Sequence, residues 1–355
     1  MDIRKPLRTL AELLALALLV WTIGTAVQDR IFFSIKLGNT IDGWADGGSE
    51  ADAINSAMNY YLNGFFDNAG LPNRSYPPGK LFINPDDEPI SKQVYTHYPP
   101  GPNWIVALSL RVFGPAKIPL YRMVSIGLCA IFFFLSYFPL RRVFGPLLSA
   151  GIISALFAIP MTTRMMHSLF FHSYCLPFLV LQVSFVFMKM RRQERLAWSD
   201  SLLIFLASFF QGWMSFDYVF IAILYPLAIA AGWRSPASRR VALMASFWAA
   251  FGFAFAHGLH FLQVQSYHGS FAGAYNDLLS AGKHRMYGIG PTTQGLRRVD
   301  LLKRYLTDLI PGYGGADFYT WLIPSSVFFV STCLILLGAS YGNSSIARRA
   351  LQSTN

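Results

Sequence analysis

Long apolar runs separated by short basic segments leave this chain few folds to choose from. They lie at about 10–27, 119–139, 146–161, 168–188, 200–215, 218–232, 240–262 and 319–340. A helix needs about 20 residues to cross the hydrocarbon core of a bilayer, and only helices or closed barrels satisfy their backbone there. The shorter runs fall near that limit, and the run Trp104 to Phe113 falls below it. Composition agrees. Of 355 residues, 54% are hydrophobic and 13% charged, against about 25% charged in a soluble domain. The expected fold is an all-α membrane protein, one transmembrane domain over residues 1–355.

Charge placement sets the expected topology. The net charge of +11 does not point to nucleic acid, because the charges gather at the ends of apolar runs. The clusters are Arg4/Lys5/Arg8, Arg141/Arg142, Lys189/Arg191/Arg192/Arg195, Arg234/Arg239/Arg240 and Arg348/Arg349. With 104–113 left out of the membrane, all five fall on one side. The positive-inside rule then gives about eight spans in a plasma (inner) membrane, both termini cytoplasmic. The first run is expected to stay as an anchor, since Gly24-Thr-Ala-Val-Gln28 is a poor cleavage site. Cys129, Cys175 and Cys333 lie inside apolar runs, which offers no disulfide framework.

Two outer loops follow from this map, residues 28–118 and 263–318. The first opens with four acids in eleven residues: Asp42, Asp46, Glu50 and Asp52. Ser49 to Leu62 has helical spacing, with Ser49 as the expected cap and Gly64 as the stop. Ala53, Ala57, Tyr60 and Tyr61 form one stripe, and Ile54, Met58 and Leu62 an adjoining one. This makes a juxtamembrane helix with carboxylates at its start. Those acids can complement the helix dipole, or one can deprotonate a hydroxyl nucleophile. They also supply oxygen ligands for a divalent cation, although their spacing is not that of the twelve-residue calcium loop. No cofactor is expected, and a metal is the lesser alternative.

Farther along the loop, His97 and Tyr98 precede Pro99-Pro100-Gly101. Proline holds the residue before it extended, so this stretch is a stiff entry to the short helix beyond. A loop-to-helix junction explains the prolines but not the histidine, which is a candidate ligand contact. His167 and His172 are five apart, which is not the spacing of a metal pair on one helix face. Arg164 and Asp217 sit near expected span ends on the outer side, where ionisable groups are functional candidates. In the second loop, Lys283, Arg285 and Arg297 are candidates to hold a phosphate by charge-assisted hydrogen bonds. Anionic lipid head groups explain them equally well.

The ordered set of features resembles a known family. Ser49-Glu50-Ala51-Asp52 opens the surface helix; His97-Tyr98-Pro99-Pro100-Gly101 follows; a short helix ends in Phe113-Gly114; a span ends in Arg141-Arg142-Val-Phe-Gly145. The set is similar to integral-membrane glycosyltransferases of the GT-C class, in particular the protein-mannosyltransferase and aminoarabinose-transferase group, over roughly residues 1–190. The resemblance implies a sugar donor on a polyprenyl phosphate, transfer at the outer face, and a catalytic carboxylate at the start of the surface helix. The acceptor would be a glycan, lipid or protein, and the other partners membrane lipids. The family's Asp-Glu pair aligns with Ser49-Glu50, which makes Glu50 the first and Asp52 the second candidate base. An Asp of the fourth span has no counterpart near Arg164. A transporter or flippase of a lipid-linked glycan, or a polysaccharide polymerase, is the alternative reading.

Overall fold

The computed structural model describes residues 4–41, 47–75, 94–158, 160–169, 172–215, 219–232 and 235–287. Eleven helices lie within them: α1 Arg4–Leu37, α2 Gly47–Asn63, α3 Gly101–Phe113, α4 Ile118–Phe144, α5 Pro146–Ala158 and α6 Pro160–Met165. They continue with α7 His172–Arg192, α8 Trp198–Met214, α9 Val219–Gly232, α10 Pro236–His268 and α11 Phe271–Tyr287. The described residues contain no strand, only one antiparallel bridge between Asn73 and Val94. The chain divides into two compact units, Met1–Lys283 and His284–Asn355. All the helices except the end of α11 belong to the first.

Among the described residues, four helical segments are long and apolar enough to cross a membrane: Thr9–Leu37, Ile118–Phe144, Ser173–Arg192 and Pro236–His268. Pro146–Phe157 and Ile221–Ala231 are apolar but shorter. The expected run 200–215 is α8, whose 17 residues reach only about 26 Å at 1.5 Å each. The run 319–340 lies outside the described residues. At 13 residues, α3 spans about 20 Å and cannot cross.

Several boundaries differ from those expected. The first helix does not stop at the end of its expected apolar run near 27, because α1 continues to Leu37. Residues 28–37 hold no Gly or Pro to stop a helix, and Asp29 pairs with Arg30 on its surface. Gly38, at φ 60°, closes it, its N–H donating a hydrogen bond to the Ser34 carbonyl at 3.1 Å. Likewise α10 runs to His268, past the expected end of its apolar run at 262. Within the run 146–161, the described residues are helical on both sides of residue 159, as α5 and α6. Ser49 is not the cap of α2, which already begins at Gly47. That helix does end at Asn63, with Gly64 at φ 92°.

The basic clusters that lie among the described residues gather at one end of the helices. Arg141 at the end of α4 pairs with Glu12 near the start of α1 at 3.3 Å. Lys189 at the end of α7 pairs with Asp200 at the start of α8 at 2.9 Å. Ser238 at the start of α10 donates to the Met190 carbonyl at 2.8 Å. Arg142 approaches Met188 Sδ. The opposite end carries α2, α3 and α11.

Apolar packing holds that opposite end. Ala53, Ala57 and Tyr60 of α2 bury against Val106 and Leu110 of α3 and Tyr121 of α4. Burying each larger side chain contributes about 1.5–3 kcal/mol. Both expected stripes of α2 are partly confirmed: Ala53, Ile54, Ala57, Met58 and Tyr60 are buried, whereas Tyr61 and Leu62 are exposed.

Candidate active site

The two candidate carboxylates of α2 have different surroundings. Glu50 is 3% exposed. Its Oε1 accepts from Arg122 Nε and its Oε2 from Arg122 Nη2, both at 2.9 Å. Arg122, fully buried near the start of α4, also donates to the Gly38 carbonyl at 3.0 Å and the Thr40 carbonyl at 2.6 Å. One guanidinium thus ties α2, α4 and the chain leaving α1. A fork of this kind binds a buried carboxylate through both oxygens, and removing one partner strands the other charge.

Asp52 lies less than one turn farther along α2 and remains 31% exposed. Its Oδ2 is 2.8 Å from Arg74 Nη1. The Arg74 guanidinium lies over the Tyr95 ring, 3.4 Å from the centroid. A guanidinium stacked this way keeps its in-plane donors for anions.

The backbone around Arg74 is fixed by α2 itself. Asn59 donates through Nδ2 to the carbonyls of Asn73 at 2.8 Å and Ser75 at 3.3 Å. Tyr60 Oη and Trp104 Nε1 both donate to the Gly70 carbonyl, at 2.8 and 3.0 Å. The Tyr95 amide donates to the Pro72 carbonyl at 2.8 Å, beside the Asn73–Val94 bridge. Asp52, Asn55 and Asn59 share a helix face at three- and four-residue spacing. That face therefore carries both the acid and the clamp on the segment that holds its cation.

His97 and Tyr98 line the same region. Tyr95 lies 5.4 Å from the His97 ring and stacks on Tyr98 at 6.1 Å. His97 Nε2 is 3.4 Å from Asp277 Oδ1 on α11. His268, at the end of α10, approaches the other oxygen, also at 3.4 Å. Partial burial pushes the Asp277 carboxyl up. The Thr96 hydroxyl and the two imidazoles outweigh burial and hold it below its ordinary value. The stiff Pro99-Pro100 turn delivers α3 onto α8: Gly101 packs against the Trp213 carbonyl, and a Cβ there would lie 2.9 Å from Met214 Sδ.

Of the remaining candidates, only the His167 side chain falls within the description. Asp42, Asp46, Asp217 and Arg297 lie outside the described residues. Arg164 is on α6, and Lys283 and Arg285 are on α11, but their side chains lie outside the description. His167 is buried against Phe33, with ring centroids 5.0 Å apart. Among the described residues, no three His, Cys, Asp or Glu side chains are placed to hold a metal ion.

Four residues of this group are not among the candidates expected from sequence: Arg74, Arg122, His268 and Asp277. Arg122 had a visible signal, a lone arginine at the head of an apolar span. Arg74 and Asp277 had none, because their partners are distant in sequence. The chain matches no family model, no curated protein and no solved structure.

Proposed function

We propose that this chain is a multi-pass membrane glycosyltransferase with Asp52 as its base. It moves a sugar from a polyprenyl phosphate to an acceptor hydroxyl at the membrane face opposite its basic clusters. The observation that carries this reading is the half-open Asp52–Arg74–Tyr95 group at that end of the apolar helices.

The chemistry follows from the geometry. Asp52 accepts the proton of the acceptor hydroxyl. The acceptor oxygen bonds to the anomeric carbon as the bond to the phosphate oxygen breaks, in one inverting step. The polyprenyl phosphate leaves with added negative charge, which Arg74 neutralises from a fixed position. Glu50 is held by the Arg122 fork and is almost closed to solvent, so in this reading its part is to position α2. The GT-C resemblance supports the same assignment of the helix, displaced by two residues. Both termini are cytoplasmic in this reading, and neither nucleic acid nor a cofactor takes part.

Binding and turnover separate the two roles. Asp52→Asn should keep the affinity of purified protein for polyprenyl monophosphate while transfer is lost. Arg74→Ala should weaken that affinity about tenfold or more. Unchanged phosphate affinity in Arg74→Ala would remove the leaving-group role from this site.

A further inference from the structure

Asp277 stands between two imidazoles that come from different parts of the chain. Its oxygens lie 3.4 Å from His97 Nε2 and 3.4 Å from His268 Nε2. His97 belongs to the strap 94–100 of the first loop, His268 ends α10, and Asp277 sits on α11. All three are partly open to water, at 39%, 32% and 24% exposure, so protons reach them freely.

The apolar grip on α11 is small. Ala274 and Leu278 meet Leu71, Val94, Phe261 and Val264, while Phe271, Tyr275 and Leu279 are exposed. The carboxylate contacts therefore form a substantial share of what holds α11 to the first loop. Their strength depends on charge. At 3.4 Å a neutral imidazole gives Asp277 only a weak polar contact, and an imidazolium adds the attraction of opposite charges. Histidine is the side chain whose charge ordinarily changes between about pH 5 and 8.

The groups around the cluster leave this change to the two histidines. On the strap side, Thr96 bonds to Asp277, and Tyr95 and Tyr98 flank His97. The nearby cation, Arg74, faces Asp52 and Tyr95. On α10, His260 Nε2 lies 2.9 Å from the Thr96 carbonyl, His257 is one turn below, and Tyr267 flanks His268.

We propose that Asp277 is a proton-operated clasp: protonation of His97 and His268 tightens α11 onto the first loop, and deprotonation loosens it. The strap also carries Tyr95, on which Arg74 rests, so the clasp sets one wall of the candidate site. It is independent of the reaction proposed above and is tested without any substrate.

The test is amide hydrogen exchange of residues 271–283 in the purified full chain at pH 8.0 and pH 6.0, corrected for intrinsic exchange rates. Protection should be about threefold to tenfold greater at pH 6.0. Asp277→Asn should abolish the difference, and His97→Gln and His268→Gln should each reduce it. The two glutamines leave the apolar contacts of α11 intact, so they report even if Asp277→Asn folds poorly. Equal corrected protection at both pH values in the wild type would overturn the clasp. So would a pH difference that survives in the double glutamine variant.

Discussion

At the scale of single residues, two acids separated by one position stand in different surroundings. Glu50 shares a buried fork with Arg122, and Glu50→Ala should cost about 3–5 kcal/mol because the guanidinium is left unpaired. Thermal unfolding in detergent measures this, and Glu50→Leu combined with Arg122→Met should recover much of it. Asp52 is part-exposed, and an exposed ion pair is worth about 0–1 kcal/mol. Asp52→Asn should therefore melt almost like the wild type while its transfer rate falls about a hundredfold or more. Asp277 adds a pH dependence of its own. Its carboxyl is held below the ordinary value, so the stability it contributes is present above about pH 4 and is lost as the pH falls through the lowered value. Acid titration of α11 protection below pH 4 should show this loss in the wild type and not in Asp277→Asn.

At the scale of elements, the sequence revealed most where one periodicity ruled a whole segment. The inner stripe of α2, its stop at Gly64 and the stiff entry to α3 were all legible from spacing and proline. Helix ends were less so. Hydropathy marks where a helix leaves the apolar region, whereas the α1 and α10 backbones continue until a residue stops them. The junction at Gly101 yields a prediction of its own. A methyl group there meets the Trp213 backbone carbonyl and the Met214 sulfur, and the carbonyl sits in a helix that cannot retreat. Gly101→Ala should cost about 1–3 kcal/mol, read as a lowered midpoint of thermal unfolding. An unchanged midpoint would show that α3 can slide along α8.

At the scale of the whole molecule, the charge pattern carried more than the motifs did. It placed the basic clusters of α1, α4, α7 and α10 at one end, where Arg141–Glu12 and Lys189–Asp200 join them. Reporter fusions after Arg142, Arg195 and Arg240 should all read on one side, and a fusion near residue 70 on the other. An opposite reading at Arg195 would break the arrangement. The site was legible only in part. Asp52 and His97 stood out as a carboxylate at a helix start and a histidine before two prolines. Arg74 and Asp277 meet them only after the chain has folded, so no spacing announces them. The central claim is that this meeting place transfers sugar away from a lipid phosphate. It is tested most directly by incubating the purified chain with a pool of polyprenyl-phosphate sugars and a membrane extract of acceptors, and weighing the carrier by mass spectrometry. The wild type should convert loaded carrier to free polyprenyl phosphate, and Asp52→Asn should leave it loaded. Carrier that stays loaded with the wild type, or is stripped equally by Asp52→Asn, would contradict the account.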